Sequence, residues 1–134
     1  MNEADTRAQL IDPKLMTSGW GVQDGSKIYR EFPISNGRIL AGGGRGNPLK
    51  ADYVLEYRGC KLAAIEAKSD ELVVGEGVAQ AKNYADKLRL AITYATNGRQ
   101  IYQINMHTGE EGLVEAFPTP DILWQRTFAE RNNW

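Results

Sequence analysis

Ala51-Asp52-Tyr53-Val54-Leu55-Glu56-Tyr57-Arg58-Gly59-Cys60-Lys61-Leu62-Ala63-Ala64-Ile65-Glu66-Ala67-Lys68 reads as two short strands around a turn. Val, Leu, Ile and Tyr dominate both halves, and Arg58-Gly59-Cys60 supplies the turn. Side chains alternate along a strand, so Asp52, Val54 and Glu56 share one face of the first. On the second, Leu62, Ala64, Glu66 and Lys68 share a face. A three-residue loop over 58–60 pairs Tyr57 with Lys61 and sets Asp52 opposite Glu66. Directly opposed residues hold their Cβ atoms roughly 4.5–5.5 Å apart. A slip of one residue sends Asp52 to the other face.

Two carboxylates that close repel one another unless a cation or a proton sits between them. Mg²⁺ takes hard oxygen ligands and is commonly held by one or two carboxylates plus a substrate phosphate. Such an ion lowers the pKa of a bound water and offsets charge at a phosphorus centre. Lys68 projects from the same face as Glu66, two residues along, where an ammonium can orient a water or stabilise a transition state. The plain alternative is a hairpin with exposed acids and one surface ion pair, since half-exposed strands often carry charge on one face.

The 134 residues make one domain's worth of chain, enough to bury a core. An apolar fraction of 42% and a charged fraction of 25% are those of a soluble globular domain. The net charge is −1, so the basic surface that dominates autonomous DNA binders is missing. Cys60, the only cysteine, excludes an internal disulfide and fits a reducing compartment. The N-terminus is polar and no apolar run approaches a spanning length, which predicts a cytoplasmic chain with no membrane partner. His107 is the single histidine, so neither a histidine-rich metal site nor Ser-His-Asp catalysis is supported.

Asn2 caps a first helix, with Glu3 and Asp5 in its first turn and Pro13 ending it near Asp12. Glu3 and Arg7 lie four apart, at pairing distance on a helix. Leu15 to Trp20 reads as a short helix or turn closed by Gly19, and 27–34 as a strand. The glycine-rich run 41–48 lacks the Gly-Lys-Ser/Thr that opens a helix in phosphate loops, so it is read as a loop beside the site. Arg45 and Lys50 are cations available in and just after it; a connection without a role is the competing reading. Residues 75–88 read as a helix with a Val78, Ala81, Ala85, Leu88 stripe, and Gln80 and Tyr84 share one side of it. Strands follow at 90–96 and 100–106. A strand, a helix and a strand in succession form a parallel, right-handed crossover. The expected architecture is α/β: a mixed central sheet flanked by helices. Thr119 and Pro120 start a last helix, whose Ile122, Leu123, Trp124 and Phe128 either pack on the sheet or form an interface.

Asp52, thirteen intervening residues and Glu66-Ala67-Lys68 resemble the Asp…Glu-x-Lys signature of the PD-(D/E)XK nuclease superfamily. Ala51 stands where that name places proline, a non-catalytic position. More specific pieces flank it: Asn2 to Arg7 with Leu10-Ile11-Asp12-Pro13 and Gly19-Trp20, then 77–85, Tyr94 to Gly98, and Phe117-Pro118-Thr119-Pro120. In order, they resemble the N-terminal endonuclease domain of type I restriction enzyme R subunits (HsdR) over nearly the whole chain.

That resemblance implies a restriction-endonuclease-like core spanning 1–134 as a single endonuclease domain. It implies a type I site-specific deoxyribonuclease activity toward double-stranded DNA, dependent on Mg²⁺ with Mn²⁺ as a possible substitute. Asp52 and Glu66 are expected to hold the metal with the Ala67 carbonyl, and Lys68 to position or activate the attacking water. Gln80 and Tyr84 resemble the Gln-x-x-x-Tyr motif near the groove. Glu3, Arg7 and Arg45 complete the supporting or DNA-contacting set, with Glu3 a candidate third acid. Residues 119–134 are expected to lead toward an ATP-driven motor whose motifs this sequence lacks, so ATP serves only that absent region. The intact subunit is expected to act with modification (M) and specificity (S) subunits. Two readings compete with this one: a non-catalytic DNA- or protein-docking module on the same fold, and a related PD-(D/E)XK repair nuclease.

Overall fold

In the computed structural model, which describes residues 1–34 and 49–132, one six-stranded sheet runs through the chain. The strands are β1 (Ser26–Pro33), β2 (Lys50–Tyr57), β3 (Cys60–Ala67), β4 (Ile92–Thr96), β5 (Ile101–Asn105) and β6 (Glu111–Val114), in that order across the sheet. All neighbours are antiparallel except β3 and β4, which pair in parallel. The helices are α1 (Glu3–Thr6), α2 (Asp12–Thr17), α3 (Val78–Leu88) and α4 (Pro120–Asn132). The glycine-rich run 41–48, with Arg45, lies outside the described residues.

Two apolar faces divide the helices. On one side Tyr53, Leu55, Tyr57, Ile65, Ile92 and Tyr94 pack with Ile11 and Leu15 from the N-terminal helices and Leu123 from α4. On the other, Val54, Ala64, Ala95 and Ile104 meet Ala81, Tyr84 and Ala85 of α3. Alanines on both surfaces let α3 settle close to the sheet. Thr93 adds a tie there, donating from Oγ1 to the carbonyls of Ala64 and Ala81. α4 does pack on the sheet: Leu123 is fully buried and Trp124 and Phe128 lie against the same core, leaving Ile122 exposed. Thr119 caps it, accepting from the Ile122 N–H at 3.2 Å.

The central hairpin departs from the three-residue loop. Tyr57 pairs with Cys60, so only Arg58 and Gly59 form the turn, with φ of 52° and 79°. Two successive residues with positive φ give the turn whose twist matches a right-handed strand pair. The pairing then shifts: Glu56 opposes Lys61 but Leu55 opposes Ala63, leaving Leu62 as an extra residue on β3. Leu62 therefore sits with Ala63 in the α2–α4 core instead of sharing a face with Ala64 and Glu66. Beyond the bulge the ladder runs Val54–Ala64 and Tyr53–Ile65, the register that carries Asp52 to Glu66.

Pro13 does not end the first helix. Between α1 and α2, Arg7–Ile11 forms a π turn in which the Asp12 N–H reaches back to the Arg7 carbonyl. Pro13 then falls in the first turn of α2, where its missing N–H costs nothing. The helical run packs against the β4–β5 turn at Gly98, whose φ is +84°. A Cβ there would stand 2.8 Å from both Leu10 Cβ and Thr6 Cγ2. Gly98→Ala is expected to destabilise the fold by roughly 2 kcal/mol or more, read in a thermal melt as a fall of roughly 5–10 °C.

Candidate active site

The central hairpin, the β3–β4 ladder and α3 converge on Asp52 and Glu66. Asp52 lies near the start of β2 and Glu66 near the end of β3, where Glu66 pairs with Ala95 of the parallel neighbour. Asp52 Oδ2 accepts the Ala67 N–H at 2.7 Å, which fixes the carboxylate to the backbone of the opposing strand. Glu66 is 5% exposed, and its Oε2 is buried without a hydrogen-bond partner among the described residues. Its other oxygen, Oε1, is 3.4 Å from Lys68 Nζ. Burial, and then the Glu66 charge, push the Asp52 carboxyl from 3.8 up to about 7, against the opposing pull of the Ala67 N–H.

Three surrounding features hold this pair. Gly77, in the single 3₁₀ turn Val74–Gly77 before α3, lies so close that a Cβ would come 2.9 Å from Glu66 Cγ. Two helical turns on from it, Tyr84 is buried, and its hydroxyl is driven above the ordinary range by burial and by the Glu66 carboxylate. Gln80, four residues earlier, acts on the same hydroxyl in the opposite direction. From the far side, Arg7 Nη1 approaches Asp52 Oδ1 at 3.7 Å and Glu31 Oε1 at 3.9 Å.

Asp52, Glu66, Lys68, Gln80, Tyr84 and Arg7 are thus brought to one place. At Ala67 the atom engaged with the pair is the N–H; its carbonyl lies on the last rung of the β3–β4 ladder. Glu3 stands one turn before Arg7, but the Arg7 ion pairs among the described residues go to Asp52 and Glu31, so a Glu3–Arg7 pair does not form. Arg45 falls outside the described residues. Gly77 and Glu31 were not foreseen as parts of the site. A glycine just before a helix was the visible signal for the first. For Glu31, set in β1 with φ of 50°, no sequence pattern announces the backbone turn.

Hard carboxylate oxygens, a buried oxygen without a partner and an adjacent ammonium suit a small divalent cation. Among the described residues no group of three or more His, Cys, Asp or Glu could hold a metal. A cation here would have two carboxylates and would need its remaining ligands from backbone, water or substrate.

A mixed sheet with helices on both faces and an acidic pair beside a lysine on its central hairpin defines a restriction-endonuclease-like domain. No family model matches the chain. It is 30% identical, over 94% of its length, to the type I restriction enzyme EcoAI endonuclease subunit of Escherichia coli. Against a solved fragment assigned to an HsdR subunit of a type I restriction enzyme from Vibrio vulnificus YJ016, it superposes with a TM-score of 0.92 at 40% identity over 98% of its residues. The chain spans 16% of the first relative and 26% of the second. Both likenesses support an HsdR N-terminal domain of the type I restriction enzymes. No helix among the described residues is long and apolar enough to cross a membrane.

The crowded pair sets a measurable pH dependence. Because the folded-state value of Asp52 lies above its unfolded one, its contribution favours folding below about pH 4 and is lost as pH rises toward 7. Asp52→Asn keeps an acceptor for the Ala67 N–H and removes the charge. Its thermal midpoint is expected above wild type without divalent ions, by a wider margin at pH 8 than at pH 5.

Proposed function

We propose that this domain is a Mg²⁺-dependent endonuclease of the type I restriction class, hydrolysing phosphodiester bonds of double-stranded DNA with no sequence preference of its own. The observation that carries the reading is the buried Asp52–Glu66 pair, with one Glu66 oxygen unsatisfied among the described residues and Lys68 at its edge. The kinship with restriction-enzyme subunits supports it. Residues 1–134 act in this reading as a single domain of a longer subunit that works with modification and specificity subunits. Neither ATP hydrolysis nor site recognition is expected of these residues alone.

Asp52 and Glu66 would hold the ion, with the Ala67 carbonyl as a further hard-oxygen donor and Mn²⁺ as a substitute. Bound there, it supplies positive charge to the scissile phosphate and acidity to a coordinated water. The Ala67 N–H keeps Asp52 oriented, and Gly77 leaves the space in which the Glu66 side chain lies. Tyr84, with Gln80 beside it, backs Glu66 from α3 and steadies the carboxylate. Lys68 presents its ammonium where it can orient the attacking water and offset charge growing on the phosphoryl oxygens. One P–O bond forms from water and one to the leaving alcohol breaks.

Calorimetric titration of Mg²⁺ and Mn²⁺ into the wild type, Asp52→Ala and Glu66→Ala tests the site directly. Binding is expected in the wild type and lost in both variants, with circular dichroism showing an intact fold. Equal behaviour of all three overturns the reading in favour of a docking module. Lys68→Ala is expected to retain Mn²⁺ binding while nicking of supercoiled plasmid slows by roughly 10²-fold or more.

A further inference from the structure

The two carboxylates commit their oxygens differently. Asp52 gives Oδ2 to the Ala67 N–H, and Oδ1, the oxygen left over, lies against Arg7 Nη1 at 3.7 Å. Glu66 gives Oε1 to Lys68 and keeps Oε2 buried, without a hydrogen-bond partner among the described residues. A divalent ion drawing one oxygen from each acid therefore finds the Glu66 oxygen free and the Asp52 oxygen covered by a guanidinium.

The cover is built to move. Arg7 contacts Asp52 and Glu31 at 3.7 and 3.9 Å, both beyond hydrogen-bond length, so no hydrogen bond ties it to either acid. A guanidinium keeps its proton at any working pH, so it leaves Asp52 only by swinging away. Space for that exists: Arg7 lines an open cleft of about 280 Å³ together with Asp12, Arg30, Glu31 and Tyr53. Glu31, held at φ 50° on β1, gives the arginine a second anchor in the cleft, so departure from Asp52 does not strand the charge.

We propose that Arg7 is the resident counter-ion of the acidic pair, occupying the metal-facing oxygen of Asp52 until a divalent cation displaces it toward Glu31 and the cleft. The proposal rests on the two-carboxylate metal site described above. It makes metal loading the event that frees a guanidinium at the border of the site, where a DNA phosphate is its natural partner.

Mn²⁺ binding followed by electron paramagnetic resonance, without DNA, separates this device from the site itself. Arg7→Ala is expected to bind Mn²⁺ roughly 2- to 10-fold tighter than wild type, Arg7→Lys close to wild type because it keeps the charge, and Asp52→Ala not at all. In the wild type, the Arg7 guanidinium resonance in ¹⁵N NMR is expected to move in step with Mg²⁺ binding, a readout that needs no variant to fold. Equal or weaker binding by Arg7→Ala, or a stationary Arg7 resonance while metal binds, overturns the proposal and leaves the metal site standing. Absence of binding in wild type and Arg7→Ala alike overturns both.

Discussion

Like charges buried side by side repel, and the structure around Asp52 and Glu66 is organised by the need to hold them together. In water two unit charges about 4 Å apart interact by only about 1 kcal/mol, but the figure grows severalfold as the surroundings become less polar. Its polar neighbours answer that repulsion: the Ala67 N–H takes one oxygen of Asp52, and Lys68 and Arg7 set cations against Glu66 Oε1 and Asp52 Oδ1, while Gly77 before α3 leaves room for the Glu66 side chain. What stays unanswered is one oxygen of Glu66, and an unsatisfied buried acceptor is where a ligand gains most.

Much of this was legible in the chain because its signals are local. Alternation in 51–68, a helical stripe in 78–88 and the apolar run at 90–96 define a hairpin and a crossover, which fix the mixed sheet. The hairpin's details were not legible. The turn has two residues where three were read, and one extra residue at Leu62 restores the register that brings Asp52 to Glu66. Leu62 and Ala63 are both apolar, so a bulge between them leaves no mark on the pattern. The same limit applies at Pro13, whose neighbours shift to a π turn that accommodates it, a geometry set by packing against Gly98 and the sheet rather than by propensity.

The site shows a similar division. The acids and the lysine are visible as spacing, and resemblance adds Gln80, Tyr84 and Arg7. Placement then changes what some of them can do. Tyr84 is nearly enclosed, so its hydroxyl serves the Glu66 side chain more readily than an external phosphate. Arg7 was grouped with Glu3 by helical periodicity, yet it crosses to the sheet because Asp52 and Glu31 offer more concentrated negative charge there. Gly77 matters for what it lacks, and a missing side chain announces its purpose only once Glu66 is seen beneath it.

The order of the sheet has a consequence for how the domain assembles. Strands adjacent in sequence are adjacent in space from β1 to β6, and within this series the parallel β3–β4 step alone requires a helix to form in between. Short-range pairings close quickly, whereas a crossover waits on a longer loop. Asp52 and Glu66 belong to one hairpin closed by a two-residue turn, so contact order predicts that they meet while water still screens them, before α3 docks and desolvates the pair.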